Sequence, residues 1–218
     1  MSCCAAINAD TDRFFSRFAG LHRLRFRLFG FERTQRHLIE GIRSGRVVGA
    51  DLLEIGCGPG YLHRALLNAG AARATGVDLS ERMLSVARKE AKAEGLDGRT
   101  DYRQGDFTQL TDEIPNADVV ILDKVICCYP DWERLVERSL EKSRRLYAFT
   151  IPRDRALTRL GLGAMRWGLT RAGCCYQPFL HDPAQIDKRV AASGFRRIYE
   201  ARTLSWLTRV YARGVLEG

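Results

Sequence analysis

The sequence lacks the features that mark a membrane-spanning or secreted protein. No apolar run is long enough to cross a bilayer. The first ten residues also lack the basic and apolar regions of a secretory signal. These absences predict a cytoplasmic protein, and 218 residues with a hydrophobic fraction of 45% suit one compact domain with a terminal appendage.

Cysteine spacing excludes the common cysteine-based frameworks. The seven cysteines form adjacent pairs at positions 3–4, 127–128 and 174–175, with Cys57 left over and no C-x-x-C repeat. An odd count without that spacing argues for reduced thiols rather than a disulfide framework or a zinc site. We therefore expect no structural metal.

Charge is unevenly distributed along the chain. The formal net charge is +9, and arginines crowd residues 13–46 and again residues 153–171. Basic proteins attract nucleic acids and anionic membrane surfaces, so composition leaves both kinds of partner open.

The first 48 residues are predicted to form basic amphipathic helices ahead of a domain at 49–218. Over residues 12–28 apolar side chains recur at helical spacing, with arginines on the other face. Such a helix either packs on the domain as a lid or contacts a membrane or a partner. Gly30 ends this run, and a second helix is predicted from Glu32 to Gly45.

Strands then alternate with helices, which is typical of βαβ units in a doubly wound parallel sheet. The predicted strands are 51–56, 74–78, 102–104, 118–123 and 145–151, followed by 195–202 and 206–213. Residues 118–123 read D-V-V-I-L-D, an apolar run of the kind that is buried on both faces of a sheet. The sequence therefore predicts an α/β, Rossmann-like fold with seven strands.

Residues 153–177 interrupt this alternation. The segment is too long for a simple connection between a strand and a helix. Its leucines and arginines predict one or two short helices. We interpret it as an insertion that can shape an acceptor pocket.

The stretch from Asp51 to Tyr61, D-L-L-E-I-G-C-G-P-G-Y, is the centre of the prediction. A strand leads into three closely spaced glycines and then into a helix, so a ligand can approach bare backbone and free N–H groups. Glu54 at the strand end suits a ligand with a cationic group. S-adenosylmethionine carries an ammonium and a sulfonium, and the string E-I-G-C-G-P-G-Y resembles motif I of the class I S-adenosylmethionine-dependent methyltransferases.

This resemblance covers most of the chain from about Asp51 and implies a cofactor site. The loop of Gly56, Cys57, Gly58 and Gly60 is expected to hold the methionine part of the cofactor, with Glu54 behind it. It also implies that the last two strands form the antiparallel hairpin that closes a mostly parallel sheet in this class.

Two further strand ends complete the expected cofactor site. Asp78, in G-V-D-L-S, is placed to bind a ribose diol, with Leu79 beside it. Met83 would then lie near the adenine. In G-D-F, Asp106 can accept a hydrogen bond from the adenine amine, and Phe107 can offer its backbone N–H.

Asp123 ends the fourth strand, where this class places cofactor and acceptor contacts. Methyl transfer mainly needs alignment, with a base if the acceptor is a hydroxyl. The candidate bases are Tyr129, His181 and Asp123. The Asp/Asn-Pro-Pro-aromatic motif common in amino-methylating nucleic-acid enzymes is missing, which counts against a DNA enzyme.

A more specific resemblance is to magnesium-protoporphyrin O-methyltransferases. It rests on R-T-Q-R-H-L before motif I, on the run from the fourth strand to Tyr-Pro, on the 153–177 insertion and on Y-Q-P-F-L-H-D-P before the last helix. Those enzymes commonly have His before Tyr-Pro, where this chain has Cys128. The resemblance implies a sizeable, partly apolar acceptor, which can be anionic and meet the arginine-rich helices.

The sequence thus predicts a methyltransferase that uses S-adenosylmethionine on a small or lipid-like acceptor at O, N or C. Two alternatives stay open. One is an RNA methyltransferase, which the charge of +9 favours. The other is a non-catalytic cofactor-binding module that docks on a membrane or a partner.

Overall fold

The fold is given by a computed structural model that describes residues 12, 24–26, 28–171, 176 and 178–214. The tail at 1–10, most of the helix predicted over 12–28, and the cysteine pairs at 3–4 and 174–175 lie outside the described residues. So do residues 172–175 and 177 of the insertion.

Within the described residues, seven strands form one sheet in the order β3-β2-β1-β4-β5-β7-β6. The first five strands pair in parallel, whereas β7 pairs antiparallel with both β5 and β6. This confirms the predicted fold class and the antiparallel C-terminal hairpin. The strands are β1 Asp51–Ile55, β2 Arg73–Asp78, β3 Thr100–Gln104, β4 Ala117–Asp123, β5 Ser143–Pro152, β6 Phe195–Arg202 and β7 Trp206–Arg213.

Helices cover both faces of the sheet. They are α1 Arg33–Ser44, α2 Tyr61–Asn68, α3 Glu81–Ala93, α4 Phe107–Leu110, α5 Trp132–Glu141, α6 Ala156–Arg171 and α7 Pro183–Ala192. Buried side chains of α1, α2 and α3 form a core with one face, and those of α4, α5 and α7 form a core with the other. β4 lies between the two cores, which explains its continuous apolar sequence.

Helix α1 is part of the domain core. Its Leu38 and Ile42 are fully buried. A Cβ on Gly41 would lie 2.6 Å from the Tyr199 ring and 2.7 Å from Val210, so only glycine allows this close packing on β6 and β7. Burial of each such Leu or Ile contributes about 2 kcal/mol.

Helix α6 lies in the predicted insertion and differs from the other long helices. It is one helix of 16 residues, and none of them is buried. Within the described ranges, no helix combines the length and the apolar character needed to cross a membrane.

Candidate active site

A cavity opens where β1, β2 and β4 end, at the carboxyl edge of the parallel strands, which is where open α/β sheets bind ligands. It encloses about 1240 Å³ of space, part of it open to solvent. Its lining is strongly acidic although the chain is basic. Carboxylates line it at Asp12, Glu32, Glu54, Asp78 and Asp123, and Lys124 is the cation among the described lining residues.

The glycine loop is held tightly on one side and is open on the other. The backbone N–H groups of Gly56 and Cys57 donate to the Val77 carbonyl at 2.8 and 3.0 Å. A Cβ on Gly56 would lie 2.4 Å from Val125 Cγ2. At Gly58 φ is +53°, and no atom lies within 4 Å of the position a Cβ would take. The loop therefore offers bare backbone to a ligand at Gly58.

Asp78 joins this loop to β2. Its Oδ2 accepts from the Gly58 N–H at 2.8 Å, and its Oδ1 accepts from the Ser80 N–H at 2.9 Å. Burial raises the pKa of Asp78 to about 6, against the effect of these two hydrogen bonds, and Glu54 and Asp12 add to the increase. Each carboxylate oxygen has two lone pairs, so Asp78 can still accept from a diol. Ser80 caps α3 by accepting from the Met83 N–H at 3.3 Å.

Glu54 is buried and belongs to a polar chain that the sequence did not reveal. Its Oε2 accepts from the backbone N–H of His63 at 3.2 Å and lies 2.6 Å from His63 Nδ1. His63 Nε2 lies 2.9 Å from the Tyr102 hydroxyl. A neutral His63 protonated at Nδ1 would donate to Glu54 and accept from Tyr102. These hydrogen bonds hold the buried Glu54 carboxylate next to the glycine loop.

Asp123 has one poorly satisfied carboxylate oxygen. Its Oδ2 accepts from Gln35 Nε2 at 3.4 Å, whereas Oδ1 is buried without a hydrogen-bond partner among the described residues. Burial raises its pKa, and the neighbouring Lys124 offsets part of that increase. A buried acceptor without a partner is costly, so this oxygen is suited to a donor on a ligand.

Helix α1 begins at the rim of the cavity. Glu32 and Gln35 form a reciprocal capping box at its N-terminus. Glu32 also pairs with Lys124, and Lys124 has a left-handed φ of +60° at the end of β4. Glu32, Gln35 and Lys124 were missed as site residues. The E-x-x-Q spacing could have revealed the cap, but not its position beside Asp123.

Tyr129 and Asp106 bond to each other. The Tyr129 hydroxyl donates to Asp106 Oδ1 at 2.9 Å, and the same oxygen accepts from the Thr108 N–H at 2.9 Å, capping α4. Burial and the adjacent Asp106 raise the pKa of Tyr129 well above its ordinary value. Proton abstraction by Tyr129 is therefore unfavourable in this arrangement.

His181 supports the wall around Tyr129. Its Nε2 lies 3.2 Å from the Tyr129 carbonyl oxygen, and its ring packs on Trp132 and Phe179. Burial lowers its pKa. Nearby, the Sγ of Cys128 lies 3.3 Å from the Tyr176 hydroxyl, and Cys128 lines the cavity.

The structure brings most of the predicted site residues together. Those that line the cavity are Glu54, Gly56, Cys57, Gly58, Asp78, Leu79, Met83, Phe107, Asp123 and Tyr129. Gly60, Asp106 and His181 are not among the lining residues. Gly60 has φ +74°, and its Cβ would lie 2.7 Å from the His63 ring, so the loop needs glycine there for a conformational reason. The roles of all these residues remain predictions.

Comparison with known families identifies the central part of the chain. Residues 52–145 match the family model described as a methyltransferase domain. Among curated proteins, the ubiquinone biosynthesis O-methyltransferase of Coxiella burnetii strain Dugway 5J108-111 is 27% identical over 172 residues, 73% of this chain and 72% of that protein. The protein of the same name from Rhizobium leguminosarum bv. trifolii is 29% identical over 173 residues, 76% of this chain and 64% of that protein. For the same enzyme in other Coxiella strains, such as RSA 331, the match spans only 53% of the relative's length.

Solved structures show the same fold over nearly the whole chain. Magnesium protoporphyrin IX methyltransferase from Synechocystis PCC 6803 with bound SAM aligns with a TM-score of 0.71 and 18% identity, covering 98% of this chain and 100% of that chain. A complex titled DhpI-SAM-HEP aligns with a TM-score of 0.69 and 19% identity over 98% and 100%.

The residues of the cavity fit S-adenosylmethionine. Gly58 leaves open backbone, Asp78 can accept from a ribose diol, and the acidic lining suits an ammonium and a sulfonium. Asp123 Oδ1 offers a further acceptor. When bound, this cofactor supplies an electrophilic methyl group on a sulfur that leaves as a neutral thioether.

Proposed function

We propose that this class I S-adenosylmethionine-dependent methyltransferase transfers a methyl group to an oxygen atom of a small, partly apolar acceptor. The observation that carries the proposal is the convergence of Glu54, Asp78 and Asp123 with the open glycine loop around one cavity. The curated relatives are named O-methyltransferases, which favours oxygen over nitrogen or carbon as the acceptor atom.

Asp123 is the best-placed group to manage the acceptor's proton. A hydroxyl acceptor would take the methyl group on an oxygen lone pair, which makes its O–H group acidic. The hydroxyl proton must then leave, and Asp123 Oδ1 is a buried acceptor without a described partner. Because burial raises its pKa, Asp123 can hold that proton at a higher pH than an exposed carboxyl group.

The acidic cavity also restricts the acceptor. Five carboxylates disfavour a deeply bound anion, so the reacting end of the acceptor is expected to be neutral. Near Asp123 the lining is apolar at Val125, which suits an apolar body.

Two alternative functions predict different products. RNA methylation would use the basic outer surface and would place the label in nucleic acid. A non-catalytic module would bind the cofactor and label nothing.

Labelling of a cell extract separates these functions. The chain is incubated with extract and S-adenosylmethionine carrying a labelled methyl group, with and without ribonuclease. We expect ribonuclease-resistant label in a small molecule that partitions into organic solvent. Label confined to RNA, or no label in any fraction, would contradict the proposal.

The segment 12–28 is proposed either to cover the cavity mouth as a lid or to contact a membrane surface. Phe26 stacks on Tyr61 with ring centroids 3.7 Å apart, and Tyr61 lines the cavity. This contact supports a lid. Leu24 and Leu28 are exposed, Leu28 by 66%, which supports peripheral membrane contact. The predicted cytoplasmic location remains part of this proposal.

A further inference from the structure

Helix α6, Ala156–Arg171, displays large apolar side chains to solvent. Leu157, Leu160 and Trp167 are 70%, 72% and 64% exposed. Together with Ala164 they recur at spacings of three and four, which places them on one face of the helix. Helix α1, by contrast, turns its apolar residues into the core. An exposed cluster of this kind marks an interaction surface.

The charges of this segment are almost all positive. Residues 153–171 contain five arginines and a single acid, Asp154. Asp154 is already paired with Arg159, at 2.5 and 2.7 Å. The Arg171 guanidinium lies 4.4 Å from the centre of the Trp167 ring. A helix with leucine and tryptophan on one face and arginines on the other is typical of a helix that lies in the interface of an anionic bilayer.

The chain connects this helix to the wall of the cavity. Helix α6 begins four residues after β5 ends, at the same edge of the sheet as the cavity. Beyond it, the Tyr176 hydroxyl lies 3.3 Å from Cys128 Sγ, and the Phe179 N–H donates to the Cys127 carbonyl at 2.7 Å. A surface bound to α6 would therefore lie next to the cavity mouth.

We propose that α6 docks the enzyme on an anionic lipid bilayer, with Leu157, Leu160 and Trp167 inserted at the boundary between headgroups and acyl chains. The arginines bind the lipid phosphates. A partly apolar acceptor could then reach the cavity from the bilayer without crossing water. This last step rests on the proposed function, whereas the docking itself does not.

Vesicle flotation of the full chain tests the docking. Vesicles of phosphatidylcholine with phosphatidylglycerol are compared with vesicles of phosphatidylcholine alone. We expect the unaltered chain to float with the anionic vesicles and to be released from them as salt rises. The double variant L160E/W167E should lose at least roughly tenfold in vesicle affinity, since both charges would face acyl chains.

Matched variants control for charge and for folding. Val48→Glu introduces the same charge at a side chain that is 78% exposed near the start of β1, at the opposite edge of the sheet. It should float like the unaltered chain. Arg155→Glu should weaken flotation more than Arg144→Glu, which lies at the start of β5. Unchanged binding of S-adenosylmethionine by each variant shows that it is folded.

Several outcomes would overturn the proposal. One is failure of the unaltered chain to bind anionic vesicles. Another is equal flotation of L160E/W167E, which would assign membrane contact to residues 12–28 instead. A third is self-association of the unaltered chain that L160E/W167E abolishes without vesicle binding, which would make α6 a dimer contact. If the protein methylates a detergent-solubilised acceptor but does not bind vesicles, the docking proposal alone is overturned. If it binds vesicles but methylates no acceptor, the proposed function alone is overturned.

Discussion

The backbone N–H of Gly58 donates a 2.8 Å hydrogen bond to the carboxylate of Asp78. This bond joins the glycine loop after β1 to the acid at the end of β2. The two motifs are therefore one structural unit, and a change in the charge of Asp78 acts on both the ribose contact and the loop.

Binding of S-adenosylmethionine should weaken as pH falls through about 6, the pKa of Asp78 in the free chain. Below that pH Asp78 is protonated and loses an acceptor. At one pH unit below the pKa the affinity should be roughly tenfold lower. Binding at a pH near this value should also release protons. Calorimetry in buffers of different ionisation enthalpy measures the number of protons released.

The effect of Asp78 on stability has the opposite sign. Because its folded pKa lies above the unfolded value of 3.8, its contribution to stability is fully present below that value and is lost as pH rises through about 6. Affinity and stability should therefore change in opposite directions between these pH values. Parallel changes would contradict the assignment of the pKa to Asp78.

His63→Phe should destabilise the fold. The substitution removes the ring nitrogen that lies 2.6 Å from Glu54 and leaves the buried carboxylate with the backbone N–H of residue 63 as its remaining described donor. The free energy of unfolding should fall by about 3 kcal/mol. Tyr102→Phe removes only the hydroxyl that contacts His63 Nε2, and it should lower the free energy of unfolding by about 1 kcal/mol. Urea denaturation measures both, and equal losses would contradict the central place of His63.

Gly58→Ala should weaken cofactor binding beyond its effect on stability. Gly58 has φ +53° and Gly95 has φ +68°, and neither has an atom within 4 Å of the position of a Cβ. Alanine at either position should cost about 1 kcal/mol of stability because of backbone strain. Only Gly58→Ala should raise the dissociation constant for S-adenosylmethionine. A similar increase in Gly95→Ala would show a general effect of strain.

Asp123→Asn should reduce turnover more than cofactor affinity. Asparagine keeps the size of the side chain but cannot take a proton, so kcat should fall by roughly a hundredfold. Gln35→Ala removes the 3.4 Å contact to Asp123 and the cap on the Glu32 N–H but leaves the Asp123 carboxylate in place, so its effect on kcat should be much smaller. Turnover is measured with the acceptor identified from extract. Loss of cofactor affinity with unchanged kcat would assign Asp123 to the ammonium instead.

Local patterns in the sequence predicted the fold well. The bounds of β6 and β7 agree with prediction. The predicted β3 began at residue 102 and the observed strand begins at Thr100, since exposed residues at this sheet edge carry little apolar signal. Because parallel strands end at the same edge of a sheet, the predicted fold also implied that the site residues at these strand ends lie close together.

The contacts that complete the site could not be predicted in the same way. Gln35 and Asp123 are 88 residues apart in the sequence. His63 lies within a helix, and its position there does not indicate a contact with Glu54. Neither pairing leaves a periodic pattern in the sequence. The left-handed φ of Lys124 is likewise imposed by its surroundings, since lysine has no intrinsic preference for it.

Calorimetric titration of S-adenosylmethionine tests the central claim most directly. The unaltered chain is compared with Asp78→Ala and with Asp97→Ala, an exposed acid after α3. Hydrogen bonds to a charged group contribute about 1.5 kcal/mol or more each, so loss of two from Asp78 should weaken binding by roughly a hundredfold or more. Asp97→Ala should bind like the unaltered chain. Unchanged affinity in Asp78→Ala, or no binding by the unaltered chain, would contradict the assignment of this cavity to the methyl donor.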